Sequence, residues 1–137
     1  MKLRGIILIA LLLGVLMLGG ACASDSAKLA EGFDADRVEE SAVKVIDLLN
    51  RQDSAALVDM SDDTMKGVMP EAKYQEVYDM MKEWGAFKAN EKTEVMGQQS
   101  NGVDYAVAIV KSKYEKKNAV WTISFDKEMR LAGLFVK

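Results

Sequence analysis

The sequence predicts an α+β domain in which N-terminal helices pack on a curved, four-stranded antiparallel sheet. Apolar residues recur at helical spacing up to Gly85, whereas the chain after Gly85 is rich in β-branched and aromatic residues. The links between the predicted strands are too short for parallel crossovers, which need about a dozen residues. Because the helical stripes are the apolar surface available to cover the sheet, the helices should lie across one of its faces.

The first helix is predicted to begin after Asp34, a good N-cap residue. Phe33 and Val38 are spaced to pack against each other as a hydrophobic staple. Within the helix, the apolar positions fall inside an arc of about 100°. These positions are Val38, Ala42, Val45, Ile46 and Leu49. The opposite side carries charged residues, so one face should be buried and the other solvated.

A break over residues 50–53 separates this helix from a short second helix, predicted from Ser54 to about Met60. The next stretch, SDDTMKGVM, is expected to be irregular. Pro70, the only proline, suits the first position of a third helix, and Gly85 suits the residue that follows its end. The apolar stripe of this third helix consists of Tyr74, Val77, Tyr78, Met81 and Trp84.

Four strands are predicted after Gly85, at about residues 87–98, 103–115, 118–126 and 130–136. Asn101-Gly102, between the first two, is the strongest hairpin signal in the chain. In the third strand, large apolar residues alternate with polar ones, which predicts that one face of the sheet is covered. The apolar set is Trp121, Ile123 and Phe125.

The first 21 residues have the pattern of an export signal. Lys2 and Arg4 precede an apolar run from Ile6 to Leu18, and small residues follow it. This run is shorter than the roughly 20 residues that a membrane-spanning helix needs. The predicted division of the chain is therefore a signal peptide at 1–21, a tether at 22–33 and a single α+β domain at 34–137.

The only cysteine, Cys22, follows the small residues of this signal. The segment resembles a bacterial lipoprotein signal, in which Leu, a small residue and Gly or Ala precede a cysteine, although Leu18 stands one place too early. Ala21-Cys22-Ala23 also fits the A-x-A site of ordinary signal peptidase, which would yield a soluble secreted chain. A reactive thiol has no neighbouring positive charge to lower its pKa. We expect Cys22 to carry lipid and to hold the domain extracytoplasmically in a bacterial cell envelope.

The charge of the chain argues against a nucleic-acid partner. Removal of Lys2 and Arg4 with the signal changes the formal net charge from −3 to −5 and leaves 116 residues. Nucleic-acid binding requires a clustered positive surface. A domain of this length can bury enough surface to fold without disulfides, so the predicted partners are the membrane, through the lipid, and a ligand or envelope protein.

Three motifs resemble a bacterial domain of unknown function in the nuclear transport factor 2-like, or SnoaL-like, superfamily. They are VIDLLNRQD at 45–53, WGAFK at 84–88 and ISFDKEMRLAGLFV at 123–136. The resemblance implies a cone-shaped, cystatin-like fold found in secreted and lipid-anchored proteins. It also implies an alternative role as a structural protein that forms a homodimer through the outer face of the sheet, and it supplies no catalytic residue.

The chain contains no histidine, which removes the commonest general base, the usual metal ligand and the Ser-His triad. Carboxylates and tyrosines remain, and the resemblance implies an alternative, because some SnoaL-like enzymes use such groups for acid-base chemistry inside the cone. That alternative needs a buried carboxyl facing a pocket. Asp104 and Asp126 border strand ends and turns, where solvation is expected, so no catalytic residue is predicted.

No metal or cofactor is predicted either. Residues 59–63 contain three aspartates but lack the spacing of a calcium loop, so a capping or solvated acidic turn is expected. Several methionines occur without a nearby histidine or cysteine, which favours packing over soft-metal binding. Four lysines around one hairpin are expected to be solvated, with contact to an anionic membrane as the alternative. They are Lys111, Lys113, Lys116 and Lys117.

These patterns predict a non-catalytic binding module that takes a small apolar ligand or a protein partner through the cone. The expected mouth lies between the third helix and the sheet, lined by Tyr74, Tyr78, Met81, Trp84, Trp121 and Phe125. The same residues can also pack into a solid core. A cavity of at least roughly 300 Å³ between helix and sheet would distinguish a ligand site from such a core.

Overall fold

A computed structural model describes residues 28–137, so the predicted signal peptide, Cys22 and the first part of the predicted tether lie outside the described residues. The α-helices are α1 (Ala35–Asn50), α2 (Ser54–Asp59), α3 (Asp63–Val68) and α4 (Tyr74–Lys82). The strands are β1 (Phe87–Ser100), β2 (Val103–Tyr114), β3 (Asn118–Phe125) and β4 (Leu131–Val136). They form one antiparallel sheet in the order β1-β2-β3-β4, which confirms the predicted α+β class.

Side-chain caps fix the starts of the first two helices. Asp34 accepts a hydrogen bond of 2.9 Å from the backbone N–H of Arg37, as the sequence predicts for α1. Asp53 does the same for α2 through the N–H of Ala56, at 3.1 Å. The predicted apolar stripe of α1 is buried throughout, and Leu48 joins it.

The stretch expected to be irregular contains α3. Asp62 caps this helix by accepting a 2.7 Å hydrogen bond from the N–H of Met65. Met65 and Met69 are both fully buried, so a single i,i+4 pair supplies its apolar face. One turn is too short to give a periodic signal, which is why the pattern did not predict it.

The third predicted helix begins later than expected. Pro70 is extended and precedes a 3-10 turn at residues 71–73, and α4 starts only at Tyr74. At the other end Gly85 has a φ of +76°, which confirms its predicted role at the helix end. The predicted hairpin at Asn101-Gly102 is also confirmed, since φ is +50° and +77° at these residues, as a type I′ turn requires.

The core lies between the helices and one face of the sheet. Trp121, Ile123 and Phe125 of β3 are fully buried, which confirms the predicted alternation. Opposite them on β2 lie Val110, Ala108 and Ala106 in register, all fully buried as well. Small residues on β2 therefore leave room for the large rings of β3 beneath the helices.

Part of the predicted tether packs on the folded body. Leu29 and Phe33 are partly buried against the core. Gly97 of β1 is buried, and a Cβ atom at this position would collide with the backbone carbonyl of Lys28. The chain at Lys28 and Leu29 thus lies directly on the sheet, in a notch that exists because residue 97 has no side chain.

Helices long and apolar enough to cross a membrane are absent from residues 28–137.

Candidate binding groove

A groove of about 240 Å³ opens to solvent where the C-terminal ends of α1 and α4 meet the start of β1 and the end of β2. Its walls combine apolar and aromatic side chains with a few polar groups. The lining residues are Leu49, Asn50, Gln52, Tyr78, Met81, Lys82, Gly85, Ala86, Phe87 and Tyr114. No acidic side chain is among them, although the carboxylate of Glu115 lies next to them and accepts a 3.5 Å hydrogen bond from the backbone N–H of Ala86.

The groove exists because two helices end at the same edge of the sheet. The chain turns away from α1 at Gln52, whose φ is +56°, and away from α4 at Gly85. A side chain at Gly85 is excluded twice: the backbone is left-handed, and a Cβ atom would lie 2.8 Å from Cβ of Glu115. Glycine at this position therefore keeps that side of the groove open.

Aromatic rings form the inner wall. The ring of Tyr114 meets Trp84 edge to face at 5.1 Å and Phe87 at 5.5 Å between centroids. Trp84 in turn meets Trp121 at 5.8 Å. Edge-to-face contacts of this kind add to the energy of burial, so the wall is a rigid continuation of the core.

Two tyrosine hydroxyls on the wall are held by side-chain partners. The hydroxyl of Tyr78 shares a 2.8 Å hydrogen bond with Oγ of Ser54. The hydroxyl of Tyr114 donates to Oδ1 of Asn50 at 3.0 Å. Burial raises the pKa of both tyrosines, so both hydroxyls stay protonated at neutral pH.

One amide nitrogen in the groove has no partner. Because Oδ1 of Asn50 is engaged by Tyr114, the Nδ2 group is left buried without a hydrogen bond among the described residues. Such a donor costs about 1–3 kcal/mol when it is unsatisfied. At the rim, Lys82 is exposed and forms no ion pair within residues 28–137. The groove thus has the positive charge of Lys82 at its rim and the buried N–H donor of Asn50 beneath its surface.

The structure divides the six residues predicted to line the mouth. Tyr78 and Met81 line the groove. Trp84 lies behind the wall, while Tyr74, Trp121 and Phe125 are fully buried. The space between α4 and β3 is therefore filled with side chains, and the groove at its edge is smaller than the roughly 300 Å³ expected of a ligand cavity there.

The other eight lining residues were not singled out from the sequence as site residues, and four of them form its main walls. Leu49 was predicted as core, Asn50 as a helix break, and Phe87 and Tyr114 as strand ends. Tyr114 lies on the same face as Ser112 and Val110, so strand alternation could have pointed to it. The hydrogen bond between Asn50 and Tyr114 joins residues 64 positions apart, and no local pattern carries that information.

The acidic residues considered for catalysis have structural partners. Asp104 pairs with Lys127 at 3.3 Å. Asp126 accepts hydrogen bonds from the N–H groups of Glu128 and Arg130 and from the guanidinium of Arg130. Throughout the described part of the chain no carboxylate is buried, and no three potential metal ligands of the His, Cys, Asp and Glu types cluster there.

The predicted lysine group does not form one surface. Lys111 pairs with Glu91 at 3.7 Å, and the ammonium of Lys117 lies over the ring of Trp84 at 4.8 Å. Lys113 and Lys116 are exposed. The last two residues of the set, Lys116 and Lys117, lie at the groove end of the sheet.

The outer face of the sheet, away from the helices, carries an apolar band. Met96, Val107 and Ser124 form one row across three strands, and Ile109, Thr122 and Phe135 form the next, with the exposed Glu94 beside Ile109 on β1. Val107 is 4% exposed, although no helix of residues 28–137 covers this side of the sheet. In the alternative role as a homodimer, this band would form the interface between the two copies.

Comparisons with known proteins agree on the fold. The chain is similar to a protein from Ruminococcus gnavus ATCC 29149 whose structure was solved by NMR, with 24% sequence identity and a TM-score of 0.70. The similarity covers 80% of this chain and 96% of that one. A comparison with curated proteins gave no match. The sequence model of one protein family matches residues 42–134, from α1 to β4, and the chain belongs to that family, Protein of unknown function (DUF3887).

Proposed function

We propose that the protein is a non-catalytic binding module, anchored through lipid on Cys22 at the outer side of a bacterial membrane. In this proposal the groove binds a small ligand that combines an apolar group with a hydrogen-bond acceptor. The cone-shaped, nuclear transport factor 2-like fold is part of the same proposal. The observation that carries it is the groove itself, which is the open hollow beside an otherwise filled interior.

The chemistry of the groove supports a ligand with a carboxylate head. Leu49, Met81 and the aromatic wall offer a surface for an apolar body. The free Nδ2 group of Asn50 and the ammonium of Lys82 both favour an acceptor, and a charged acceptor gives the stronger hydrogen bond. Small ligand sites commonly have this composition of apolar walls with a few placed polar groups.

The lack of catalytic groups supports a binding role. Acid-base catalysis requires a titratable side chain within hydrogen-bond reach of the substrate. The groove offers two tyrosine hydroxyls that burial keeps protonated, and it offers no carboxylate or histidine. The polar groups of the groove can form hydrogen bonds to a ligand. The lining residues supply no general base that could take a proton from it.

Titration of the isotope-labelled protein with phenylacetate, followed by amide NMR shifts, tests the ligand site. We expect the Asn50 side-chain amide and the backbone amides of Gly85 and Ala86 to shift, with a Kd on the order of 1 mM for so small a ligand. The neutral analogue phenylacetamide should bind several-fold more weakly. Absence of groove shifts well above that Kd, or equal binding of the two compounds, would contradict the proposal.

Matched variants separate the groove from general attraction to lysines. Asn50→Asp keeps an acceptor for the Tyr114 hydroxyl but replaces the free donor with a charge, so phenylacetate binding should be lost. Lys82→Gln should weaken it several-fold. Lys116→Gln, outside the groove lining, should leave it unchanged. If Lys116→Gln weakened binding as much as Lys82→Gln, the ligand would be attracted by charge alone.

The apolar band on the outer sheet face favours a second candidate, a structural protein that dimerises there. Sedimentation velocity at micromolar concentration tests this alternative. A strict monomer removes it. A dimer that Ile109→Glu converts to monomer would support it, because Ile109 lies at the centre of the band and its backbone pairing is unchanged by the substitution.

A further inference from the structure

We propose that the domain stands on the membrane with the β1–β2 hairpin end towards the lipid and the groove at the opposite end, facing water. This inference rests on the lipid anchor at Cys22 that is part of the proposed function. It adds where the anchored domain presents its binding groove, and hence from which side a ligand or partner must approach.

The first observation is the point at which the chain leaves the folded body. Lys28 and Leu29 lie over Gly97, in the notch that its missing side chain creates. The segment then closes a turn, with the N–H of Phe33 donating to the carbonyl of Ala30 at 3.3 Å, and Phe33 packs on the core. The exit point is therefore fixed by packing at the third residue before the end of β1.

The second observation is the distance from that exit to the groove. β1 begins at Phe87 in the groove and runs towards the hairpin, so Gly97 lies roughly 30 Å from Phe87 along the strand. Helix α1 gives an independent measure in the same direction. It starts at Ala35, just after the docked segment, and ends at Asn50 in the groove, about 24 Å away.

The third observation is the maximum length of the chain between Cys22 and Lys28. Five residues lie between Cys22 and Lys28, and the six residue steps from one to the other span at most about 22 Å when the chain is fully extended. The anchored cysteine can therefore reach any part of the hairpin end but falls short of the groove, which lies roughly 30 Å from Gly97. With the anchor so short, the hairpin end is the part of the domain held against the lipid headgroups.

Charge does not select the orientation, which rests on the exit point and the reach of the chain. At the hairpin end, Asp104 and Lys127 form an ion pair. Three exposed acidic residues lie beside the docked segment, namely Glu31, Asp34 and Asp36. The two lysines of the β2–β3 turn, Lys116 and Lys117, lie at the other end. In the proposed orientation they face water instead of the membrane surface.

Single-cysteine spin labels on the lipidated protein in phosphatidylcholine and phosphatidylglycerol nanodiscs test the orientation. Because lipid occupies Cys22, Val103→Cys at the hairpin end and Lys116→Cys at the groove end each supply one free thiol; both positions are exposed. A nickel-chelating lipid relaxes labels near the headgroups. We expect several-fold stronger relaxation at residue 103 than at residue 116. Equal relaxation, or stronger relaxation at residue 116, would overturn the inference.

Intact-mass measurement of the same samples separates the two proposals. A diacylglycerol mass on Cys22 supports the anchor, and the spin-label result then decides the orientation alone. A mature chain without lipid overturns the anchor itself, and the orientation with it. Thus a lipidated protein in which the labels at residues 103 and 116 show equal relaxation contradicts only the orientation.

A variant with a longer tether tests whether the short reach is the cause. Insertion of a twelve-residue Gly/Ser segment before Lys28 keeps the docked residues and removes the limit on distance. Relaxation at residue 103 should fall towards the value at residue 116. If the difference between the labels were unchanged, the tether would not set the orientation and the inference would be wrong.

Discussion

Three buried side-chain polar atoms in this protein lack hydrogen bonds among the described residues, and their surroundings differ. They are Asn50 Nδ2, the Tyr74 hydroxyl and the indole N–H of Trp121. Ser61 lies near Tyr74, but its hydroxyl donates to the backbone carbonyl of Leu57 at 2.7 Å. The hydroxyl of Tyr114, near Trp121, donates to Asn50. Tyr74 and Trp121 are enclosed by core side chains, whereas Asn50 borders the groove. Of these three atoms, only Asn50 Nδ2 belongs to a residue of the groove lining.

Tyr74→Phe should leave the stability unchanged or raise it by up to about 1 kcal/mol at pH 7. The substitution removes a buried hydroxyl that has no hydrogen bond and keeps the ring, so little packing is lost. The free energy of unfolding in urea measures the effect. A loss of more than about 1 kcal/mol would mean that the hydroxyl is satisfied in solution.

The same variant should change the response to alkali. Burial raises the pKa of Tyr74 to about 12, and the nearby Ser61 hydroxyl offsets this only in part. Between about pH 10 and 12 the unfolded chain loses this proton before the folded chain does, so stability falls as pH rises, by roughly 2–3 kcal/mol in all. Unfolding free energies across this range should therefore decline less steeply in Tyr74→Phe. An identical decline in both proteins would contradict the assignment.

Gly97→Ala tests the notch that receives the N-terminal segment. The new Cβ atom meets the Lys28 carbonyl, so either the strand or the docked segment must move, and we expect a loss of about 1–3 kcal/mol. Gly67→Ala is the matched control, because its Cβ atom meets nothing within 4 Å and alanine suits a helix better. Urea unfolding should show a loss for the first and a small gain for the second. Equal effects would show that Lys28 does not rest on Gly97.

The secondary-structure elements follow local rules that the sequence displays. Asp34 and Asp53 cap helices, Asn101-Gly102 turns a hairpin, and Gly85 ends α4, each through chemistry readable from the residue type. Those features could be predicted because their causes lie within a few residues. Helix α3 could not, since its one apolar pair, Met65 and Met69, is decided by burial against distant parts of the chain.

Asp62→Ala should destabilise the protein by about 1 kcal/mol by removing the cap of α3. Asp63→Ala, one residue later, removes an exposed carboxylate that does not cap the helix, and it should cost only a few tenths of a kcal/mol. The comparison uses urea unfolding at neutral pH. If the two variants lost equal stability, the contribution would come from charge near the helix start and not from the cap.

At the scale of the whole molecule, the interior between α4 and β3 is filled and the hollow lies at its edge. The apolar stripe of α4 and the alternation of β3 predicted which side chains meet, but not whether they leave space between them. That depends on the exact fit of rings such as Trp121 and Tyr74, which no pattern of residue types contains. The groove arises instead from where two helices end relative to two strands, a property of the assembled fold.

The central claim is that this filled interior leaves binding to the groove, and xenon-pressurised methyl NMR tests it most directly. Xenon enters apolar cavities without needing any specific contact. We predict shifts for methyl groups that line the groove, those of Leu49 and Met81, and none for Ile123 and Leu131 in the interior. Shifts at Ile123 or Leu131 without shifts in the groove would show a hollow interior and contradict the account.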